Sequence, residues 1–370
     1  MNESPLRLRS GQALLSVRHL TTEFHLPDGK VARALEDVSF DVLPGQTIGL
    51  VGESGCGKTT TLMSVMRLLP ANGRITAGKV YFKDNDLLRL SEREMRAHRW
   101  KDMAIVFQGA MNALNPVMKV GEQVREAILL HKLMDRDAAE KRVGELLEMV
   151  GIQRARRDQY PHQYSGGMRQ RAMIAMALAC SPSLLFADEP TTALDVMIQA
   201  QVLELLKEIQ KSLNLAIVLV THDLGVVAEV CDSVVVMYGG KVAEYGTVEM
   251  IYNQPQHPYT QRLLASFPDL NEPSVSLASI PGTPPRLTDL PTGCRFHPRC
   301  HAKVDACDKL TPPLTVISDQ LPVISDQSSV ISGQPVLSQR DASRSEVEGL
   351  SMSGGHYAAC HLLHGEEAKF

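Results

Sequence analysis

Residues 52–60 have the residue types and the spacing of a loop that binds phosphate groups. They lie between an apolar run that ends at Val51 and a helix-compatible run that begins at Thr61. Glycines allow successive backbone N–H groups to turn toward an anion, and the start of a helix adds positive potential there. A lysine followed by a threonine would contact the β- and γ-phosphates and Mg²⁺, respectively. We therefore expect a nucleoside triphosphate to bind at Gly52, Glu53, Ser54, Gly55, Cys56, Gly57, Lys58, Thr59 and Thr60.

Two further apolar runs end in polar side chains. Residues 183–187 lead directly into Asp188 and Glu189, and residues 216–220 lead through one threonine to His222. Because ligands bind at the carboxyl ends of the strands in open parallel sheets, we expect these side chains beside the phosphate loop. Asp188 is placed to hold the hydration shell of Mg²⁺, and Glu189 is placed to orient and polarise a water. The pattern predicts an α/β fold with a parallel sheet.

A serine followed by two glycines, at residues 165–167, opens a helix of small residues and offers a second place for an anion. The serine hydroxyl, the exposed N–H groups and the positive end of the helix dipole would all face a ligand. The same residues would also serve as an ordinary helix N-cap with a flexible approach. The residues by themselves leave both interpretations open.

The hydrophobic pattern predicts the elements that position these residues. Strands are expected at residues 14–20, 38–42, 78–82, 104–107 and 234–238. Residues 91–94 form a capping box, and a long amphipathic helical stretch after Pro116 ends at Gly151. Phe24 precedes a Pro-Asp-Gly turn, where its ring would either stack on an adenine or belong to the core.

Composition and charge exclude several classes of function. The 370 residues are 44% hydrophobic and 5% aromatic, with a formal net charge of -4. An acidic balance with few aromatic residues argues against nucleic-acid binding. No apolar run is long enough to span a membrane, and residues 1–20 lack the apolar core of a signal peptide. We therefore expect a cytosolic chain that reaches a membrane only through a partner.

Four of the seven cysteines lie in the last quarter of the chain, with the spacing C-x5-C-x6-C-x52-C: Cys294, Cys300, Cys307 and Cys360. Cytosolic thiols are usually reduced, so we expect no disulfides. Four thiolates can hold either Zn²⁺ or an iron–sulfur cluster, and the spacing does not choose between them. A seven-residue repeat before the last cysteine predicts a surface insertion without fixed structure at 314–355.

With these motifs in this order, residues 14–265 resemble the ATP-binding subunits of ABC transporters. The resemblance implies a P-loop ABC ATPase domain at 1–265, with an antiparallel β subdomain and a helical subdomain at about 115–180. Two subunits would sandwich two ATP molecules, each held by the phosphate loop of one subunit and the signature loop of the other. The resemblance assigns Phe24 to the adenine, Ser165, Gly166, Gly167 and Met168 to the signature, and Asp195 to the D-loop. It implies catalytic roles for Lys58, Gln108, Glu189 and His222, and Mg²⁺ ligands in Thr59, Gln108 and Asp188.

The resemblance narrows to the oligopeptide and dipeptide importer family. The matching features are the methionine of the signature, the segment 257–260 and the segment 293–300, Gly-Cys-Arg-Phe-His-Pro-Arg-Cys. It implies a C-terminal extension at 266–370 whose four cysteines hold a [4Fe–4S] cluster, with Zn²⁺ as the alternative. Nickel importers share much of this architecture, so a nickel or other small-solute importer stays an alternative. Cys56, where serine is common, and the long insertion depart from the family pattern.

The expected function is ATP hydrolysis that powers the uptake of di- or oligopeptides. The expected partners are a second ABC ATPase subunit, two transmembrane permease subunits and an extracytoplasmic substrate-binding protein. We expect a heterodimer, with a homodimer as the alternative, on the cytoplasmic face of the inner (cell) membrane as a peripheral protein. A soluble ABC ATPase of DNA repair or translation usually carries two cassettes or a long coiled coil, and the sequence has one phosphate loop and no long heptad array.

Overall fold

The computed structural model of the chain describes residues 13–109, 113–192, 194–266, 279–318 and 355–364. In chain order, the strands are β1 (Leu15–His25), β2 (Val31–Val42), β3 (Thr47–Val51), β4 (Gly73–Phe82), β5 (Asn85–Asp86), β6 (Met103–Val106), β7 (Leu184–Asp188), β8 (Ala216–Val220), β9 (Ser233–Tyr238), β10 (Lys241–Thr247), β11 (Thr315–Ser318) and β12 (His356–Ala358). The helices are α1 (Lys58–Val65), α2 (Glu92–His98), α3 (Val120–Leu130), α4 (Arg136–Met149), α5 (Gly166–Ala177), α6 (Val196–Leu213), α7 (Leu224–Val230), α8 (Val248–Asn253) and α9 (Pro258–Ala265). A strand therefore forms at each of the five segments expected from the hydrophobic pattern, with only Leu14 and Phe107 outside the observed strands.

The larger sheet has the strand order β11-β12-β10-β9-β3-β8-β7-β6. The strands β9, β3, β8, β7 and β6 are parallel to one another, whereas β10, β11 and β12 extend the sheet in antiparallel fashion. Every residue of β3, β7 and β8 is buried, as expected for strands covered on both faces. The prediction of an α/β fold with a parallel sheet is confirmed.

Successive side chains of the central strands point to opposite faces of the larger sheet, so the core has two layers. In β7, Leu185 and Ala187 pack with the helices α3 to α6. Leu184 and Phe186 face the opposite way and pack against α1 and the smaller sheet. Successive side chains of a strand point to opposite faces, so one strand holds both layers in register. The catalytic candidates at the strand ends are therefore positioned by packing on two sides.

The smaller sheet is antiparallel, with the order β2-β1-β4-β5. The hairpin of β1 and β2 turns at the expected Pro-Asp-Gly segment and contains bulges that change its register. Its buried face includes Phe40 and Leu15, which pack in one cluster with Leu62 of α1. This sheet therefore supports the helix that follows the phosphate loop.

The helical region differs from the expected single long stretch. The chain leaves α3 at His131, passes through Lys132 at φ 52° and re-enters a helix at Asp135. The side chain of Asp135 accepts a hydrogen bond from the N–H of Ala138 at 2.8 Å, which caps the new helix. The prediction of one continuous helix was wrong because a cap and a left-handed residue interrupt the apolar periodicity. The capping box that opens α2 is confirmed.

The C-terminal tail joins the larger sheet. β12 pairs with β10, and β11 pairs with β12. Because β11 falls within 314–355, the expectation that this whole range lacks fixed structure was wrong at its first residues, and residues 319–354 lie outside the described ones. Phe296 is buried against Tyr238 and Tyr259, at ring distances of 5.1 and 5.3 Å. The described part of the tail therefore has an apolar core.

Within the described ranges, no helix is long and apolar enough to cross a membrane.

Candidate functional site

The phosphate loop connects β3 to α1, and two of its glycines cannot be replaced without a clash. Gly52 has φ 143°, and a Cβ there would lie 2.2 Å from the carbonyl oxygen of Met237 in β9. Gly57, with φ 108°, caps α1, and a Cβ there would lie 2.8 Å from the carbonyl oxygen of Ala34. The positive dihedrals and the close backbone contacts require residues without a side chain.

The lysine and threonine of the loop each contact another candidate site residue. Lys58 is buried, and its Nζ donates to the carbonyl oxygens of Gly52 at 2.6 Å and Glu53 at 3.3 Å. The hydroxyl of Thr59 donates to Oδ1 of Asp188 at 3.2 Å. Burial raises the pKa of Asp188, and the hydrogen bond from Thr59 opposes that rise. The structure therefore brings together two oxygen ligands of the kind that Mg²⁺ prefers.

Glu189 is the centre of a polar cluster at the ends of three neighbouring strands. Its Oε2 accepts from the Nε2 amide of Gln108 at 2.7 Å and from the hydroxyl of Thr192 at 2.9 Å. Its Oε1 lies 3.2 Å from Nδ1 of His222. The backbone of Glu189 is left-handed, at φ 44°, which non-glycine residues adopt rarely and often at functional sites. The predicted Gln108 and His222 thus both contact the predicted Glu189, with the amide of Gln108 directed at its carboxylate.

The signature and D-loop candidates lie next to each other. Ser165 is exposed and caps α5, and its hydroxyl accepts from the N–H of Met168 at 3.3 Å. Asp195 caps α6 in the same way by accepting from Ile198 at 2.9 Å. A Cβ on Gly167 would lie 2.7 Å from a methyl group of Ile198, so the two helix starts pack closely. Both interpretations of this motif, N-cap and second anion site, remain compatible with an exposed serine that already caps its helix.

Phe24 lies near the end of β1, opposite Ala32 and Gly73, and is partly buried. A Cβ on Gly73 would lie 2.8 Å from Cε1 of Phe24, so the ring lies over that glycine. This contact belongs to the smaller sheet, and an adenine-stacking role for Phe24 stays a prediction.

Cys56 of the phosphate loop is a buried thiol. Its Sγ lies 3.9 Å from Nζ of Lys58, yet burial raises the pKa of this cysteine above its usual range. The protonated form is therefore favoured, so Cys56 behaves as a small buried residue rather than as a reactive thiolate.

The four tail cysteines are gathered in one region by the fold. The N–H of Cys294 donates to the carbonyl oxygen of Cys307 at 2.8 Å, and Cys360 follows β12, which pairs with β10. Burial raises the pKa of Cys294 to about 11, and the charges of the other three thiols act in the same direction. Across the described parts of the chain, however, no three His, Cys, Asp or Glu side chains are arranged so that they could hold a metal ion.

Three contacts at the site were missed by sequence reasoning. Thr192 contacts Glu189, the hydroxyl of Tyr259 accepts from the N–H of Glu53 at 2.9 Å, and Arg299 pairs with the side chain of Glu53. Tyr259 and Arg299 lie within the two C-terminal motifs, at 257–260 and 293–300, that carry the family resemblance. Those two motifs mark Tyr259 and Arg299 as candidates, but a motif does not indicate that these residues contact Glu53.

Comparisons with known proteins show which family the chain resembles in sequence and fold. A family profile described as ABC transporter matches residues 35–192, and one described as the C-terminal region of oligopeptide/dipeptide transporters matches residues 243–307. The chain is 52% identical over 311 residues to the dipeptide transport ATP-binding protein DppD of Bacillus subtilis, covering 83% of this chain and 92% of that protein. The chain belongs to the oligopeptide/dipeptide ABC transporter ATP-binding family.

Other members and solved structures extend the comparison. The oligopeptide transport ATP-binding protein OppD of Escherichia coli is 46% identical, covering 84% of this chain and 92% of that protein. A dimeric ATP-binding cassette solved in a post-hydrolysis state with ADP and Pi is 27% identical, with a TM-score of 0.57, covering 63% of this chain and 98% of that chain. The peptide-transporter family member described here is therefore an ABC ATPase by sequence and by fold.

Proposed function

We propose that this chain is the ATP-hydrolysing subunit of an importer that moves di- or oligopeptides across a membrane. The observation that carries the proposal is the cluster of Gln108, Thr192 and His222 around the carboxylate of Glu189. A carboxylate so held is suited to accept a proton from, and to orient, a water that attacks a phosphoryl group. The names of the relatives, dipeptide and oligopeptide transport ATP-binding proteins, support the substrate class.

The residues in and around the phosphate loop would bind ATP and Mg²⁺. ATP would be held by the N–H groups of residues 52–60 and by Lys58. Thr59 and Asp188 would hold Mg²⁺ directly or through water, and Gln108 would join them by turning from Glu189. When bound, Mg²⁺ neutralises charge that develops on the phosphates. The buried carboxylate of Asp188 fits this role, because a divalent cation would offset the desolvation that raises its pKa.

The signature residues would act on the nucleotide of a second subunit. Ser165 is exposed on the surface, and the nearby Val196 and Met197 of α6 are 80% and 73% exposed. Large apolar side chains in such an exposed position are suited to a protein contact. We propose that the partner is a related ABC subunit. The chain alone should then hydrolyse ATP weakly and gain activity when that subunit and the permease are added, whereas full substrate-stimulated activity as the only ATPase would contradict a heterodimer.

The membrane partners follow from the importer function. Two transmembrane permease subunits and an extracytoplasmic substrate-binding protein would complete the transporter. The chain itself would be peripheral, on the cytoplasmic face of the inner (cell) membrane. The boundary between an ATPase domain at 1–265 and an extension at 266–370 is part of the same proposal, although β12 of the extension is a strand of the larger sheet.

We also propose that Cys294, Cys300, Cys307 and Cys360 hold a [4Fe–4S] cluster, with Zn²⁺ as the alternative. The backbone hydrogen bond between Cys294 and Cys307 brings two of the four cysteines together and supports the donor set. The described arrangement is not that of bound ligands. A metal would favour the thiolates against the burial that raises the pKa of Cys294, Cys300 and Cys360. Its role would be to order the tail, and no step of ATP hydrolysis passes through it.

The test is reconstitution of the chain with two permease subunits and a second ABC ATPase subunit. Proteoliposomes should hydrolyse ATP faster when a binding protein loaded with a dipeptide is added, and they should accumulate labelled dipeptide. The control is the same preparation with Glu189→Gln in this chain. Stimulation by a nickel-loaded binding protein but not by a peptide-loaded one would replace the peptide importer with the nickel alternative.

A further inference from the structure

The tail segment between Cys294 and Cys300 reaches the phosphate loop through one arginine. Nη1 of Arg299 donates to Oε2 of Glu53 at 2.6 Å, and Nη2 donates to Oε1 of Glu53 at 3.0 Å. A guanidinium that binds both oxygens of a carboxylate fixes its orientation as well as its distance. The side chain of Arg299 is 6% exposed and that of Glu53 is 24% exposed, so the pair is screened less than a surface pair.

Arg299 is fixed from the side of the tail. Its Nε donates to the carbonyl oxygen of Pro281 at 2.7 Å, and its Nη1 donates to the hydroxyl of Tyr238 at 3.2 Å. Its guanidinium lies 5.7 Å from the centre of the ring of Tyr238. The backbone N–H of Arg299 donates to the carbonyl oxygen of Phe296, whose ring is in the buried tail core. These contacts hold the guanidinium of Arg299 in one position relative to Glu53.

Glu53, in turn, is tied to the backbone that shapes the loop. Its N–H donates to the hydroxyl of Tyr259 at 2.9 Å. Its carbonyl oxygen accepts from the N–H of Cys56 at 3.2 Å and from Nζ of Lys58 at 3.3 Å. A displacement of this residue would therefore reach the loop N–H groups and the lysine that are proposed to contact phosphate.

We propose that Arg299 is a positioning residue that holds the phosphate loop in its binding conformation, so that nucleotide affinity depends on the folded tail. The proposal rests on nucleotide binding at residues 52–60. The side chains of Glu53 and Arg299 are paired with each other, so they act indirectly, by raising the fraction of molecules whose loop is in the binding conformation. If the loop without this pair held that conformation about a tenth of the time, the apparent Kd for ATP would rise about tenfold.

The test measures the Kd for a fluorescent ATP analogue with Mg²⁺, and KM and kcat for ATP, in the full-length chain. Arg299→Met should raise both Kd and KM about tenfold while kcat changes less than about twofold, since only the binding conformation is less populated. Glu53→Gln should have a similar effect, and the double variant should be no worse than either single one, because the two residues form one interaction. Arg299→Lys, which keeps the charge but not the two-point geometry, should recover part of the affinity.

The matched control is Arg18→Met, which removes another two-point pair, with buried Asp41 in the smaller sheet, at 2.7 and 2.9 Å. This variant should leave the Kd within about twofold, and amide exchange of residues 50–57 should quicken only in the Arg299 variant. Wild-type affinity in Arg299→Met, additive effects in the double variant, or equal weakening by Arg18→Met would each overturn the proposal. Should Arg299→Met fail to fold, Glu53→Gln tests the same pair from its more exposed side. A wild-type chain that binds no nucleotide would instead contradict the proposed function itself.

Discussion

Gln108, which follows β6, and Glu189, which follows β7, are joined by a hydrogen bond of 2.7 Å between Nε2 and Oε2. The parallel pairing of β6 with β7 brings the two residues together, because their strands end at the same edge of the sheet. The amide therefore holds one oxygen of the carboxylate, while Nδ1 of His222 lies 3.2 Å from the other. Residues from the ends of three strands, β6, β7 and β8, thus converge on a single carboxylate.

The first prediction concerns that carboxylate. Glu189→Gln keeps the shape of the side chain but removes the charge that would orient and deprotonate water. We expect ATP hydrolysis to fall at least a hundredfold, about 2.7 kcal/mol of barrier, while the Kd for ATP stays within about threefold. Phosphate release and equilibrium nucleotide binding measure the two effects. Glu208→Gln, an exposed glutamate of α6, should leave both unchanged. Turnover of Glu189→Gln within about threefold of wild type would show that the assignment is wrong.

The second prediction follows from the burial of Asp188, which raises its pKa in the folded protein. The carboxyl group of Asp188 therefore binds its proton more tightly in the folded protein than in the unfolded chain. Above the folded pKa the carboxylate is ionised, and burying that charge lowers the free energy of unfolding. Without nucleotide and Mg²⁺, Asp188→Asn should be more stable than wild type at pH 7, and the difference should vanish as the pH falls toward the ordinary aspartate value of about 3.9.

Urea unfolding at several pH values measures that difference. The control is Asp158→Asn, whose side chain is 66% exposed and should show little change at any pH. Mg²⁺ with ATP should stabilise wild type but stabilise Asp188→Asn much less. A variant that is less stable than wild type at pH 7 without ligand would contradict the argument.

The third prediction concerns the tail cysteines. Protein purified without oxygen should be brown, with iron and acid-labile sulfide each at about four per chain. Cys307→Ser should lose the metal, whereas Cys231→Ala, which changes a partly buried cysteine outside the tail, should keep it. Colourless protein with about one zinc per chain would replace the cluster by Zn²⁺. Metal-free protein with four reactive tail thiols would exclude both.

The fourth prediction concerns the attachment of the tail to the larger sheet. Nε2 of His356 in β12 donates to Oε1 of Glu244 in β10 at 2.7 Å, and both side chains are buried. Glu244 also accepts from the N–H groups of Gln256 and His257, at 2.8 and 2.9 Å. His356→Ala leaves a buried carboxylate with one partner fewer, so the free energy of unfolding should fall by about 2–3 kcal/mol.

Chemical denaturation checks this value, with His361→Ala as the control. Nε2 of His361 also makes a hydrogen bond, to the carbonyl oxygen of Leu310 at 2.8 Å, but this bond is exposed to solvent. Its replacement should cost no more than about 1 kcal/mol. If the two substitutions lowered the free energy of unfolding equally, the buried pair of His356 and Glu244 would stabilise β12 no more than an exposed hydrogen bond does.

The sequence by itself determined the phosphate loop, the acidic pair after β7 and the central strands. These features are local: a loop of fixed spacing needs its glycines, and a strand buried on both faces needs a continuous apolar run. It also indicated the family, because several such motifs occur in one order. The break between α3 and α4 and the strand β11 escaped prediction, because a single cap and a pairing across the sheet decide them.

Only the tertiary structure decided which residues hold these motifs in place. Arg299 and Glu53 are 246 residues apart, and Gln108 and Glu189 are 81 residues apart. Neither separation follows a helical or strand period, so no local pattern could connect the two members of a pair. Their contacts arise because the parallel sheet aligns the ends of distant strands and because the buried Phe296 packs the tail against Tyr238 and Tyr259, next to the phosphate loop.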